Sequence, residues 1–138
     1  MKKQNTLYWI LTALMSAFML MGALPDVVRS ATALAWFVHL GYPSYLLPFI
    51  GIAKILGVIA ILSRATQRLK EWAYAGLVFD LLGAFYSHVS VGDSISGWIF
   101  SVIGLLLVAA SYIAYRKRAG VETTYTATAE IGAQIFSR

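Results

Sequence analysis

The sequence predicts an all-α integral membrane protein: an up-and-down four-helix bundle with a short amphipathic helix in the outer connection between the first and second spans. Apolar residues make up 59% of the 138 residues and charged residues 12%, and the mean hydropathy is +0.73, far from the averages of soluble domains. Four apolar runs are long enough to span a bilayer. Basic residues lie beside these runs, a pattern that orients proteins in membranes.

The first span is predicted at residues 7–24, because no charged residue occurs between Lys3 and Asp26. At about 1.5 Å per residue, such a helix crosses roughly 30 Å of hydrocarbon. A secretory signal peptide is the rival interpretation, since Lys2 and Lys3 precede the apolar run. Three further spans follow, however, and no convincing small-residue cleavage site occurs near Leu24. We therefore expect a retained helix.

The other three spans are predicted where apolar runs are separated by polar, glycine or proline residues. They lie at residues 45–62, 72–89 and 95–115. Only Lys54 and Asp80 place a charge inside these runs. Short linkers join the second, third and fourth spans, and this favours antiparallel neighbours. Residues 1–118 are thus predicted to form one four-span transmembrane domain.

The outer connection, residues 25–44, is longer than a turn requires and carries apolar residues at near-helical spacing until Gly41 and Pro43 interrupt the pattern. These apolar residues are Val27, Val28, Ala31, Leu34, Phe37 and Val38. We expect a short amphipathic helix at the outer membrane surface. Such a helix either anchors the bundle in the interface or covers a site beneath it.

The distribution of basic residues predicts that both ends of the chain are cytoplasmic, because lysine and arginine concentrate on that side of a membrane. In a four-span topology Arg29 alone falls on the outer side. The basic residues on the other side are Lys2, Lys3, Arg64, Arg68, Lys70, Arg116, Lys117 and Arg118. Residues 119–138 then form a polar cytoplasmic tail, which we expect to be flexible or held by a partner.

Composition also excludes several kinds of chemistry. The chain has no cysteine, which excludes disulfide bonds, thiol redox catalysis and thiolate metal sites. Its net charge of +5 is compatible with nucleic-acid binding, but the basic residues flank apolar runs. We therefore assign the charge to membrane orientation and expect the lipid bilayer, rather than nucleic acid, as the partner.

The most informative feature is a lysine and an aspartate at the same depth. Lys54 lies eight residues before Leu62, and Asp80 lies eight residues after Trp72, on spans that should be antiparallel. A lone charge at mid-membrane depth costs about 2.5–3.5 kcal/mol on insertion scales, so we expect the two side chains to pair. Two interpretations stay open: a structural ion pair that fixes helix register, or a polar anchor or proton-exchanging centre.

Small residues beside the two charges predict close helix packing. Gly51 and Gly57 flank Lys54 at three residues on either side. The third span has a small-residue face at steps of three and four that consists of Ala73, Gly76, Asp80, Gly83, Ala84 and Ser87. Because small residues let membrane helices approach closely, we expect this face to pack inward against the lysine face.

Two histidines are the other ionisable candidates. His88 lies two turns beyond Asp80, toward the outer side, and His39 lies in the outer connection. Together with Asp26 or Asp93, they have the chemistry to bind a metal or relay protons. No two histidines have ligand spacing on one helical face, so we expect hydrogen-bonded histidines and no metal site.

With these residues in place, the chain resembles the DoxX-like family of small bacterial membrane proteins, from about Tyr8 to Tyr115. The segments that carry the resemblance are HLGYP at 39–43, YLLP at 45–48, GIAKILG at 51–57, LKEWAYAGLVFDLLGA at 69–84 and YSH at 86–88. The resemblance implies a four-helix protein of the bacterial cytoplasmic (inner) membrane. It implies little biochemistry: some relatives are associated with quinone-linked sulfur oxidation or with oxidative-stress complexes. No catalytic motif carries over, and residues 120–138 lie outside the family pattern.

The leading functional hypothesis is a membrane accessory subunit without independent catalytic activity. It binds a quinone or lipid-like molecule at an intramembrane polar site near Lys54, Asp80, His39 and His88. No catalytic residue is predicted, and a quinone is the candidate cofactor. The first alternative is a structural or assembly protein, in a homo-oligomer or membrane complex, with a purely structural ion pair. The second is a proton-coupled small-molecule transporter that acts as an oligomer.

Overall fold

The computed structural model describes residues 2–137 and contains five helices joined by short turns, which confirms the all-α fold. The helices are α1 (Lys2–Val27), α2 (Ala31–His39), α3 (Leu46–Leu62), α4 (Gln67–Ser90) and α5 (Ile95–Phe136). The short helix predicted in the outer connection is present as α2. Each of the four long helices contains or closely matches one predicted span, although α1, α4 and α5 extend beyond the apolar runs at one or both ends.

The turns between helices follow local capping chemistry. The Ser30 hydroxyl accepts a hydrogen bond from the Ala33 amide at the start of α2, and the Thr66 hydroxyl accepts one from the Leu69 amide at the start of α4. Gly41 after α2 and Gly92 after α4 have φ angles of 81° and 82°. Glycine enters this left-handed region without a steric penalty, so both positions allow the chain to reverse direction.

The long helices form a closed ring in which α1 packs on α3 and α5, and α4 packs on α3 and α5. Contacts between α1 and α5 show that these helices are antiparallel. Tyr8 lies beside Tyr115, with ring centroids 6.2 Å apart, whereas four residues further along α1 the Thr12 hydroxyl lies 2.8 Å from that of Ser111. Residue numbers therefore rise along one helix as they fall along the other.

The same relation holds around the rest of the ring. Gly57 of α3 faces Leu77 of α4, one turn below the contact between Lys54 and Asp80. The pair Phe85 and Trp98, with ring centroids 5.5 Å apart, and the contact of Leu81 with Gly104 fix α4 against α5. All neighbours in the ring are thus antiparallel, as short connections require.

The core contains a small polar centre among apolar side chains. Tyr8, Met15, Val58, Ile61 and Val108 are almost fully buried. Among them, the Ser111 hydroxyl lies 2.8 Å from both the Thr12 and the Tyr74 hydroxyls. Because buried hydroxyls need hydrogen-bond partners, this cluster links α1, α4 and α5 at one level.

The outer surface of the ring is apolar. Large exposed apolar side chains occur on every long helix, among them Leu14, Met21, Phe49, Ile52, Leu56, Phe79, Phe100 and Leu106. By length and composition, α1 and α5 are the two helices able to cross a membrane, and α3 is a shorter apolar helix. Such a surface is typical of contact with lipid.

The segment predicted as a separate tail continues α5 as one helix to Phe136. The chain passes Gly120 and Gly132 without a break, and four threonines donate hydrogen bonds to the carbonyl oxygens four residues before them. Extending an existing helix avoids the cost of nucleation, so weak helix formers can follow a strong one. Residues 119–136 thus extend α5 as a helix rather than forming a separate irregular segment, and Arg138 lies outside the described residues.

Candidate functional site

Lys54 lies midway along α3 and bridges two carboxylates from different helices. Its Nζ is 3.5 Å from Asp80 Oδ2 on α4 and 3.0 Å from Asp26 Oδ2 in the last turn of α1. The three side chains are 18%, 22% and 13% exposed, respectively. The expected approach of Lys54 to Asp80 is thus present, and a second acidic residue completes the cluster. We call these three residues the Asp-Lys-Asp cluster.

Gly51 allows the end of α1 to approach α3 closely enough for Asp26 to reach Lys54. A Cβ at this position would lie 2.8 Å from Val27 Cγ2 and 2.9 Å from the Val27 backbone nitrogen. Both distances are far shorter than normal contacts, so only glycine fits without movement of α1. The sequence pattern placed Asp26 at the outer mouth with the histidines, whereas the close approach of α1 to α3 at Gly51 brings it to Lys54.

The other predicted packing residues divide into two groups. A Cβ at Gly57 would lie 3.3 Å from the Leu77 side chain, which agrees with close packing of α3 on α4. Gly76 and Gly83 instead have no atom within 4 Å of such a Cβ. Within the described residues, these two glycines therefore do not lie at a close contact between helices. Ala84 is half-buried and lines a cleft described below.

Asp93 brings the two predicted histidines together. Its Oδ1 lies 2.6 Å from His39 Nε2 on α2, and its Oδ2 lies 2.6 Å from His88 Nδ1 on α4. The Trp36 ring packs edge-on against both imidazoles, with centroid distances of 5.8 and 5.4 Å. We call His39, Asp93 and His88 the His-Asp-His cluster. It fastens α2 to the turn between α4 and α5.

The histidine hydrogen bonds also set the charge of Asp93. They lower the pKa of its carboxyl group below the usual value, with the His88 bond the largest cause and the His39 bond the next. Within residues 2–137, histidine and acidic side chains form no group of three or more arranged to hold a metal ion. Each Asp93 oxygen is instead at hydrogen-bond distance from one ring nitrogen.

An outer cleft of about 810 Å³ lies between α2 and the ends of α1, α3 and α4. Its walls are mostly apolar, and α2 contributes Trp36 and Phe37. Lys54, Asp26 and His88 are the ionisable side chains that line it. The two clusters therefore meet in one cavity, with α2 as its outer wall.

A second cavity, which we call the lateral groove, lies between α3 and α4 and measures about 230 Å³. Lys54 and Asp80 line it, together with Gly57, Gly76 and apolar side chains of both helices. Because Lys54 borders both cavities, the Asp-Lys-Asp cluster lies where they approach each other.

The cleft offers a hydrogen-bond donor and an acceptor on an apolar wall. An ammonium group has three N–H donors, and the contacts with Asp26 and Asp80 use two of those on Lys54. When the His88 ring is neutral, its Nδ1–H donates to Asp93 and Nε2 is left as an acceptor. This arrangement can hold a mainly apolar molecule that carries an acceptor oxygen for Lys54.

The Asp93 contacts predict an acid-sensitive contribution to stability. A folded-state pKa below the unfolded value means that the carboxylate stabilises the fold above the usual carboxyl pKa, and that this stabilisation is lost as the pH falls through the lowered value. His39 and His88 are the titratable groups that face it. We expect Asp93→Asn to lower the melting temperature at about pH 5, with a smaller difference from the unaltered protein near about pH 3.

Thermal unfolding of detergent-solubilised protein at both pH values measures this difference. Glu130→Gln, the same kind of change on the exposed part of α5, serves as the control and should leave the melting temperature unchanged. A difference between Asp93→Asn and the unaltered protein that grows toward low pH would contradict the prediction.

Comparison with known proteins gives one family. The model of the DoxX-like family matches residues 10–111, which include α2, α3 and α4 and all six residues of the two clusters. No curated protein and no solved structure matches the chain significantly. The matched region ends before the polar part of α5.

Proposed function

The chain belongs to the DoxX-like family, whose members are membrane-associated, and from this premise we propose that it is a four-span protein of the bacterial inner membrane whose outer cleft binds a quinone or lipid-like molecule. It acts as an accessory subunit, supplying a binding site rather than a reaction of its own.

The ring of α1, α3, α4 and α5 supports the four-span topology. Helices α3 and α4 pack against each other and against the two apolar helices, α1 and α5. The outward faces of all four helices carry large apolar residues. Residues 28–45 connect α1 to α3, and the only lysine or arginine among them is Arg29. Both chain ends are then cytoplasmic by the excess of lysine and arginine at the other side.

The observation that carries the binding proposal is that Lys54 and His88, from two different helices, line one apolar cleft. After its two carboxylate contacts are counted, Lys54 has one N–H donor left, whereas a neutral His88 ring that donates Nδ1–H to Asp93 has Nε2 left as an acceptor. Quinone carbonyl oxygens and lipid ester oxygens are acceptors, so both chemistries match the Lys54 donor. The apolar wall formed by Leu24, Phe37 and Leu40 suits the rest of such a molecule.

Trp36 provides a direct way to test quinone binding, because it lines the cleft and quinones quench tryptophan fluorescence. The full chain is reconstituted in phosphatidylcholine nanodiscs and titrated with a ubiquinone analogue that carries a decyl tail. We expect saturable quenching, and at least about tenfold weaker binding in Lys54→Met, because this variant removes the hydrogen-bond donor to a quinone carbonyl oxygen.

Two controls make the result specific. Trp36→Phe removes the reporter in the cleft and leaves the quenching of Trp9, Trp72 and Trp98 by quinone dissolved in the bilayer. Lys117→Met makes the same change as Lys54→Met at an exposed position of α5 outside the cleft. Unchanged saturable quenching in folded Lys54→Met would rule out the proposed site.

A second candidate function is structural, and one observation favours it. Lys54 is paired with a carboxylate on each side, so the Asp-Lys-Asp cluster ties α1, α3 and α4 together without any ligand. Polar contacts of this kind fix the register of membrane helices. Under this alternative, substitutions in the cluster change the stability of the protein, and the unaltered protein binds no quinone or lipid-like ligand in the cleft.

A further inference from the structure

We propose that the lateral groove between α3 and α4 holds the hydrocarbon tail of the molecule whose headgroup occupies the outer cleft. The ligand is then a ring headgroup with a single long tail, the quinone type of the two classes considered above. This inference rests on the proposed function of the cleft and specifies its ligand.

The two cavities share one stripe of α4. Ala73, Gly76 and Asp80 line the groove, and Ala84 and His88 line the cleft. These five residues follow one another at steps of three or four, so they lie on a single face of the helix. A molecule that follows this face from the cleft to the groove crosses no helix, but it must pass Asp80, which contacts Lys54 between the two cavities.

Helix α3 shows the same continuity from the other side. Ile50, Lys54 and Gly57 succeed each other at steps of four and three and all line the groove, while Lys54 also lines the cleft. A headgroup that accepts a hydrogen bond from Lys54 therefore lies next to the end of the groove nearest the cleft, and its tail can begin there.

The open glycine of α4 explains why the groove exists. Gly76 has no atom within 4 Å of an added Cβ, although Asp80, one turn away, contacts Lys54. The helices thus meet at the ion pair and leave a gap beside Gly76. Because the groove measures only about 230 Å³, it accommodates one chain, whereas a helix of a second copy, about 10–12 Å across, does not enter it.

Groove occupancy does not rest on the hydrophobic effect, since a tail is surrounded by apolar groups in the bilayer as well. The gain comes from van der Waals contact with a rigid wall and from the covalent link to a bound headgroup. A side chain that fills the groove should therefore weaken the binding of a tailed ligand and leave a ligand without a tail unaffected.

The experiment uses Gly76→Leu, with Gly83→Leu as the matched control. Both glycines are exposed, both have open space around a Cβ, and both lie on α4, but only Gly76 lines the groove. Each variant of the full chain is titrated in phosphatidylcholine nanodiscs, by Trp36 quenching, with a decyl-tailed ubiquinone analogue and with the same benzoquinone ring without a tail. The bilayer's own two-tailed lipids are present in excess throughout.

We expect Gly76→Leu to weaken binding of the tailed quinone by about tenfold, the range seen when a methylene-sized space in an apolar pocket is filled or emptied, with unchanged binding of the tail-less ring. Gly83→Leu should bind both probes as the unaltered protein does. Equal affinity of Gly76→Leu and Gly83→Leu for the tailed probe would overturn the tail assignment and leave the cleft proposal standing. Absence of saturable quenching by either probe in the unaltered protein would overturn both.

Discussion

Replacing Lys54 by methionine should destabilise the folded protein by about 3–5 kcal/mol, the largest effect expected of any single change in the chain. Methionine fills a similar volume but leaves Asp26 and Asp80 as two partly buried acidic groups without their shared cation. Asp80→Asn should cost much less, because Lys54 keeps its 3.0 Å contact with Asp26. Equilibrium unfolding in mixed micelles gives both free energies.

A triple variant separates an unpaired-charge effect from a packing effect. Lys54→Met combined with Asp26→Asn and Asp80→Asn contains no charge in the cluster, so it should recover most of the stability that Lys54→Met alone loses. If the triple variant is as unstable as the single one, the loss comes from packing and the ion pairs contribute little. If the triple variant is stable and still binds quinone, Lys54 is not the donor to the ligand; the second candidate function is favoured only if the unaltered protein binds no quinone.

The second large effect is expected at Gly51, where alanine should destabilise the protein by about 1–3 kcal/mol. Its Cβ would lie 2.9 Å from the Val27 backbone nitrogen, and backbone atoms cannot rotate away as a side chain can. The end of α1 must therefore move, and Asp26, the preceding residue, moves with it away from Lys54. Unfolding in mixed micelles measures the loss, and quinone titration should show weaker binding.

Gly83→Ala is the matched control for this change. Glycine to alanine within a helix contributes roughly 1 kcal/mol of stabilisation through backbone entropy, and both variants receive it. Gly83 is exposed with open space around a Cβ, so it should show that gain alone. A Gly51→Ala protein as stable as Gly83→Ala would show that α1 and α3 are not in close contact there.

Hydropathy and spacing predicted the helices of this protein well, because an apolar run bounded by polar or turn residues leaves few alternatives. The short helix α2 was also predictable from its apolar period and the glycine that ends it. Helix ends were less predictable. Helix α1 already includes Lys2, within a polar stretch, because hydrogen bonding continues where hydropathy has already changed.

The candidate site was only partly predictable. Helical rise and the short loop between α3 and α4 put Lys54 and Asp80 at the same depth, so their proximity could be predicted from the sequence. Asp26 could not be placed in the same way, because the connection between α1 and α3 contains another helix and does not determine how far α1 extends along α3. The spacing of Gly76 and Gly83 identified a face of α4, but not whether a helix or open space lies opposite.

The bridging role of Asp93 shows a similar limit. Near the outer ends of the predicted helices, Asp26 and Asp93 were equal candidates to accompany His39 and His88. His88 and Asp93 are only five residues apart, so their contact is local. His39 is 54 residues from Asp93, and its contact with that carboxylate depends on how α2 packs in the assembled ring.

The unbroken course of α5 has a consequence for anything that binds at its end. From Arg116 to Phe136 the helix rises about 30 Å at 1.5 Å per residue. A flexible tail of that length would let a bound partner explore a wide volume, at an effective concentration set by chain statistics. A continuous helix holds the partner instead at one distance and one bearing from the ring, so a change of a few residues in its length would alter both the reach and, by about 100° per residue, the side that faces the partner.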